Sequence, residues 1–146
     1  MIQPFDPTYF MKKALGEALC AFQEDEIPVG AVIVSRDKII AKAHNQTQRL
    51  TDVTAHAEMQ VITAAANYLG SKYLHNCTLY VTLEPCQMCA GALYWSQISK
   101  IVFAAQDPKR GYRALNGQLH PRTMVEMGLC REEAQELLQR YFTLKR

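Results

Sequence analysis

Phe10, Met11, Ala14, Leu15, Ala18, Leu19 and Phe22 recur at the three-and-four spacing of a helix that buries one stripe. Asp6-Pro7 ahead of them is a helix start, with the carboxylate as cap and proline at the first helical position. The acidic run 24–26 and Pro28 close that element. Residues 30–34 and 38–43 read as two short strands, and Ser35-Arg36-Asp37 between them as a hairpin turn. A second helix is expected near 54–69, with Gly70 just past its end. Residues 77–83 alternate as a strand, and Pro85 opens a third helix over 86–96. Strands are expected at 100–104 and 124–127, and a closing helix at 131–144. Helix, hairpin, helix, strand, helix, strand is the order of an α/β protein whose mixed sheet is flanked by helices. The later strands are expected to be parallel and buried on both faces. No repeat or linker divides the chain, so residues 1–146 are read as one domain.

Composition agrees with that outline. Of 146 residues, 49% are hydrophobic and 21% charged, enough apolar material for a core without disulfides. No stretch approaches the ~18 apolar residues of a membrane helix, and the first ten residues lack the layout of an export signal. Five cysteines, an odd number, argue against a disulfide framework and for a reducing, cytoplasmic setting. The net charge of +2 is unevenly spread: residues 1–99 hold seven Lys/Arg against nine Asp/Glu, residues 100–146 nine against five. A basic last third suits a phosphate-bearing partner and equally suits a solvated helix face.

The candidate chemistry lies in two segments. Thr54-Ala55-His56-Ala57-Glu58 stands where the second helix should begin, and Glu84-Pro85-Cys86-Gln87-Met88-Cys89 where a strand gives way to the third. Cys86 and Cys89, three apart, share one face of a helical turn whose N-terminal end favours thiolates. Two thiolates and an imidazole are three ligands of the kind zinc takes in a catalytic site, where the fourth position is left to water. Glu58, two residues after His56, faces another way on a regular helix, which suits proton transfer better than ligation. Each piece has a plainer use. Cys-x-x-Cys is also a thiol redox pair, Cys77 or a second histidine could close a structural zinc site, and a lone glutamate in a first turn complements the helix dipole.

His-x-Glu followed by Pro-Cys-x-x-Cys is far more specific than either motif alone. With it the chain resembles the zinc-dependent cytidine and adenosine deaminases, and most of all the bacterial tRNA-specific adenosine deaminases. Further matching segments are Ile27-Pro28-Val29-Gly30-Ala31-Val32, His44-Asn45, Thr78 to Cys86, Met88-Cys89-Ala90-Gly91-Ala92, Ile101-Val102-Phe103 and Tyr141-Phe142. The resemblance implies a three-layer α/β/α fold around a mixed five-stranded sheet. It also implies hydrolytic conversion of adenosine to inosine at the wobble position of a tRNA anticodon. One zinc ion per subunit would be held by His56, Cys86 and Cys89, with Glu58 as proton shuttle. Asn45 and Val29 would meet the base, Asp107 and Lys109 would lie along the anticodon nucleotides, and Tyr141-Phe142 near the flanking bases. A homodimer is implied as well. Lys109, Arg110, Arg113, Arg122, Arg140, Lys145 and Arg146 would then meet phosphates. Residues 112–123 and Pro108 depart from the family pattern beside the expected substrate. A deaminase of a free base or nucleoside, such as guanine or cytosine, would share every zinc residue.

Overall fold

The computed structural model describes residues 6–146. In chain order the elements are α1 (Pro7–Gln23), β1 (Gly30–Ser35), β2 (Lys38–His44), α2 (Ala57–Leu69), β3 (Cys77–Leu83), α3 (Gln87–Ser96), β4 (Lys100–Ala105), β5 (Met124–Met127) and α4 (Arg131–Leu144). The capping expected at the first helix is present, as the Asp6 carboxylate accepts the Thr8 backbone N–H at 2.7 Å. Arg36 and Asp37 both take positive φ, which gives the β1–β2 turn the twist that a tight hairpin requires.

One five-stranded sheet runs in the order β2-β1-β3-β4-β5. β1 pairs antiparallel with β2 and β3, while β3–β4 and β4–β5 are parallel. The period-2 alternation of the strands sorts their side chains into two cores. Ala31, Ile33, Leu79, Val81, Ile101 and Phe103 face Val61, Ala65 and Leu93 of α2 and α3. Val32, Tyr80, Val102 and Ala104 face Phe10, Met11 and Ala14 of α1 and Ala134 of α4. Helices on both faces of the mixed sheet make the three layers that the sequence implies. Gly30 is required by contact: a Cβ there would lie 2.1 Å from the Ala14 carbonyl oxygen, so α1 sits almost on the backbone of β1.

Three expectations need correction. β5 is not buried on both faces; all four of its residues are exposed, because it is the sheet edge and α4 covers mainly its neighbour β4. The second helix begins at Ala57 instead of 54, because the Asp52 carboxylate accepts both the backbone N–H and the hydroxyl of Thr54 and folds that stretch into a turn. The third helix starts at Gln87, with Cys86 as its cap residue.

Candidate active site

β1 begins, and β2, β3 and β4 end, on the same side of the sheet, and the segments next to those strand termini converge there. His56 is the residue immediately before α2, Cys86 the residue before α3, and Cys89 lies in the first turn of α3. Two helix starts that follow strands of one sheet are thereby brought face to face. His56 Nδ1 lies 3.6 Å from Cys86 Sγ and 3.5 Å from Cys89 Sγ. Among the described residues no other His, Cys, Asp or Glu joins this trio, so neither Cys77 nor a second histidine closes it. A tetrahedral zinc with bonds of about 2.3 Å to sulfur and about 2.05 Å to nitrogen has an N···S edge of roughly 3.6 Å. The donor types and their spacing therefore fit zinc with one coordination position left open.

The groups of the trio shift one another's proton affinities. A hydrogen bond from Cys89 holds the Cys86 sulfur down at about 4, well inside the thiolate range, and burial and His56 act on it as well. The same bond and burial push the Cys89 thiol up. His56 is raised by its hydrogen bond to Cys86. Glu58 lies in the first turn of α2, only 4% exposed, and burial pushes its carboxyl up to about 7. It is within hydrogen-bonding reach of Cys89 and is not one of the trio.

A cavity of about 500 Å³ opens over these groups. Its lining includes the buried or half-buried Ile27, Val29, Asn45, Ala57, Glu58, Leu83 and Leu138, and a rim of Gln106, Asp107, Lys109, Arg110 and Phe142, all exposed except the half-buried Asp107. Of the residues singled out from the sequence as base or anticodon contacts, Val29, Asn45, Asp107, Lys109 and Phe142 border one space with His56, Glu58 and Cys86. Asn45 is placed by its own N–H, which donates to the Val29 carbonyl at 3.0 Å. Tyr141 does not line the cavity; it packs edge-on against Phe22 and its hydroxyl donates to the Asp25 carbonyl at 3.3 Å. Nor does any of residues 112–123, so the divergent segment lies outside the cavity wall.

Sequence reasoning missed two buried carboxylates. Glu84, 3% exposed at the end of β3, accepts hydrogen bonds from the loop that carries Asp107 and pairs with Arg113. Glu26, 1% exposed, accepts the backbone N–H groups of Gln48 and Arg49 at 3.1 and 2.7 Å, in the loop between Asn45 and His56. The available signal was an acidic residue next to a mostly apolar stretch, 77–83 for Glu84 and 27–34 for Glu26, since a carboxylate carried into a core is rare unless paired.

The fold and this constellation are those of a zinc-dependent deaminase. The sequence pattern of the cytidine and deoxycytidylate deaminase zinc-binding region matches residues 6–105, and the chain belongs to that family. It is 55% identical over 103 residues to the tRNA-specific adenosine deaminase of Aquifex aeolicus, covering 70% of this chain and 68% of that one. To the enzyme of the same name from Agrobacterium fabrum it is 43% identical over 145 residues, 95% of each chain. Among solved structures, a tRNA:A34 deaminase of A-to-I editing at the wobble position superposes with a TM-score of 0.84 at 44% identity, over 90% of this chain and 99% of that one. A guanine deaminase from Nitrosomonas europaea gives 0.81 at 26% identity, over 94% and 85%. No helix among the described residues is long and apolar enough to cross a membrane.

Proposed function

We propose that this chain hydrolyses adenosine to inosine at the wobble position of a tRNA anticodon. The observation that carries the reading is the cavity itself. Its buried inner lining, beside His56, Glu58 and Cys86, suits one base, and its exposed rim carries Lys109, Arg110 and Phe142 beside Asp107. A free base needs only the inner part. A nucleotide held by its neighbours also needs cations for phosphate and an aromatic face for stacking, and the rim supplies both. The tRNA-specific adenosine deaminases and the tRNA:A34 deaminase named above support the same substrate.

His56, Cys86 and Cys89 would hold zinc, which when bound supplies a water activated for attack near neutral pH. Glu58 accepts the proton of that water and delivers it to ring N1 as C6 is attacked. On collapse Glu58 takes the remaining proton of the hydroxyl added at C6 and passes it to the exocyclic nitrogen, the C6–N bond breaks, and adenosine plus water become inosine plus ammonia. Asn45 and Val29 orient the base at the bottom of the cavity, while Asp107, Lys109 and Phe142 hold the flanking nucleotides. The target base must leave its stack to reach C6, and an anticodon loop already exposes it.

A homodimer is supported by Trp95 and Val53, which stand 76% and 82% exposed, on α3 and just before α2. A cytoplasmic setting is supported by cysteines that are all free.

The test offers the zinc-loaded protein an anticodon stem-loop with A at the wobble position, the same loop with G, and free adenosine, cytidine, cytosine and guanine. Inosine formed in the A-containing loop alone is the expected result. Turnover of guanine or another free substrate with none in RNA would overturn the substrate and keep the zinc chemistry.

A further inference from the structure

We infer that Glu84 is a positioning residue: its one buried carboxylate fixes the shape of the loop that forms the outer wall of the cavity, and Arg113 is the cation that keeps that carboxylate in place. Oε1 accepts the Asp107 backbone N–H at 3.1 Å, and Oε2 accepts the Arg113 backbone N–H at 3.2 Å. The two ends of the loop are therefore tied to the two oxygens of a single side chain. The Arg113 guanidinium returns to both oxygens, with Nε 3.2 Å from Oε2 and a terminal nitrogen 3.0 Å from Oε1, and lies over the Phe103 ring. A forked cation on a nearly inaccessible carboxylate is a geometry that lysine would not reproduce.

The loop is also laid directly on the metal-binding segment. Gly111 bridges to Cys86, and the Tyr112 N–H donates to the Pro85 carbonyl at 2.9 Å. Gly111 is required by space. A Cβ there would sit 2.3 Å from the Glu84 carboxyl and 2.6 Å from the Asp107 carbonyl oxygen, which is backbone and has no slack. Arg113 belongs to the segment that departs from the family pattern. That segment acts on the cavity from behind, through Glu84. Its cation was expected to meet phosphate, yet the structure has it turned inward onto Glu84.

The inference deepens the proposed reading, since it assigns the Asp107–Lys109 wall its rigidity, and its test separates the two. Three variants approach the same carboxylate from different sides: Glu84→Gln, Arg113→Met and Gly111→Ala. Hydrogen exchange of the Asp107 and Arg113 amides reads the fastening without any substrate. Exchange there is expected to rise tenfold or more in the variants, while amides of β1 and β3 keep their protection. On the anticodon stem-loop, KM is expected to rise severalfold with kcat changed less than twofold and zinc content unchanged, and Arg113→Lys should restore only part of the loss. For Arg113→Met the slope of KM against salt should equal that of the parent, since a lost phosphate contact would flatten it. Unchanged exchange at Asp107, or exchange that rises equally throughout the sheet, would overturn the inference, as would a flattened salt slope. A parent protein inactive on the stem-loop would overturn the substrate reading and leave the exchange result to decide the role of Glu84.

Discussion

At the scale of single residues, the division of labour between His56 and Glu58 follows from where α2 begins. His56 precedes the helix and is free to turn its ring toward Cys86 and Cys89, whereas Glu58, already helical, stays outside the trio and lines the cavity beside it. Burial holds its carboxyl up at about 7, so it can both take and give a proton near neutrality. Glu58→Gln preserves volume and removes the exchangeable proton. Turnover is expected to fall by roughly a hundred- to ten-thousandfold, with zinc content by metal analysis unchanged. Retention of full turnover with full zinc would assign the proton transfers elsewhere. These four residues were legible in the sequence because each sits in a contiguous motif beside a helix-start signal. Glu84 was quoted in the same motif and yet its role was hidden, because its partners Asp107 and Arg113 lie 23 and 29 positions away. Glu26 was hidden for the same reason, its partners Gln48 and Arg49 being 22 and 23 positions distant.

At the scale of elements, periodicity was enough to find the nine elements of the described residues, and the errors in their bounds fell where a polar side chain competes with the backbone, as Asp52 does with the start of α2. What periodicity could not show is how α1 is fastened to the hairpin. His44, the last residue of β2, bonds the Glu17 carboxylate of α1 at 3.1 Å through Nδ1 and that of Glu24, just past α1, at 3.1 Å through Nε2. Arg49 also reaches Glu24, at 3.1 Å. Both ring nitrogens can donate only when the imidazole is charged. Burial alone would lower its pKa, but the Glu17 and Glu24 carboxylates more than offset that and hold it above 6.5. The sign follows: a group whose folded pKa is raised stabilises fully below its unfolded value and loses that contribution as pH rises through the folded one. The denaturation midpoint is therefore expected to decline as pH rises from 6.5 upward, on top of the trend set by all other groups. In His44→Gln, whose amide does not titrate, that part of the slope should vanish. A variant whose midpoint follows the same curve as the parent would show that the clamp carries no net stability. His44 adjoins Asn45, so the same fastening sets where β2 delivers Asn45 to the cavity.

At the scale of the whole molecule, the excess of cations in residues 100–146 is redistributed once the chain folds. Lys145 pairs with Asp25, Arg113 with Glu84 and Lys100 with Glu126, and Arg140 lies over the Phe22 ring. Much of what looked in the sequence like a basic third is thus spent on fastening α4 and the loop after β4 to the rest of the fold. Lys109 and Arg110 have no ion pair among the described residues, and both line the cavity mouth. If an anticodon is the substrate, the cations that count for it are these two, and the salt dependence should be correspondingly shallow. Each phosphate contact on single-stranded nucleic acid contributes about −0.7 to the slope of log affinity against log salt, so two contacts predict about a sevenfold rise in KM between about 50 and about 200 mM salt. Lys109→Ala with Arg110→Ala should bring that slope close to zero and leave kcat at saturating substrate nearly intact, because neither side chain approaches Glu58 through any bond in the structure. A slope several times steeper would mean that a broader surface, such as the second copy in a dimer, contributes phosphate contacts. A slope of zero in the parent would place the substrate's phosphates outside the reach of the cavity rim and favour a free base or nucleoside as the substrate.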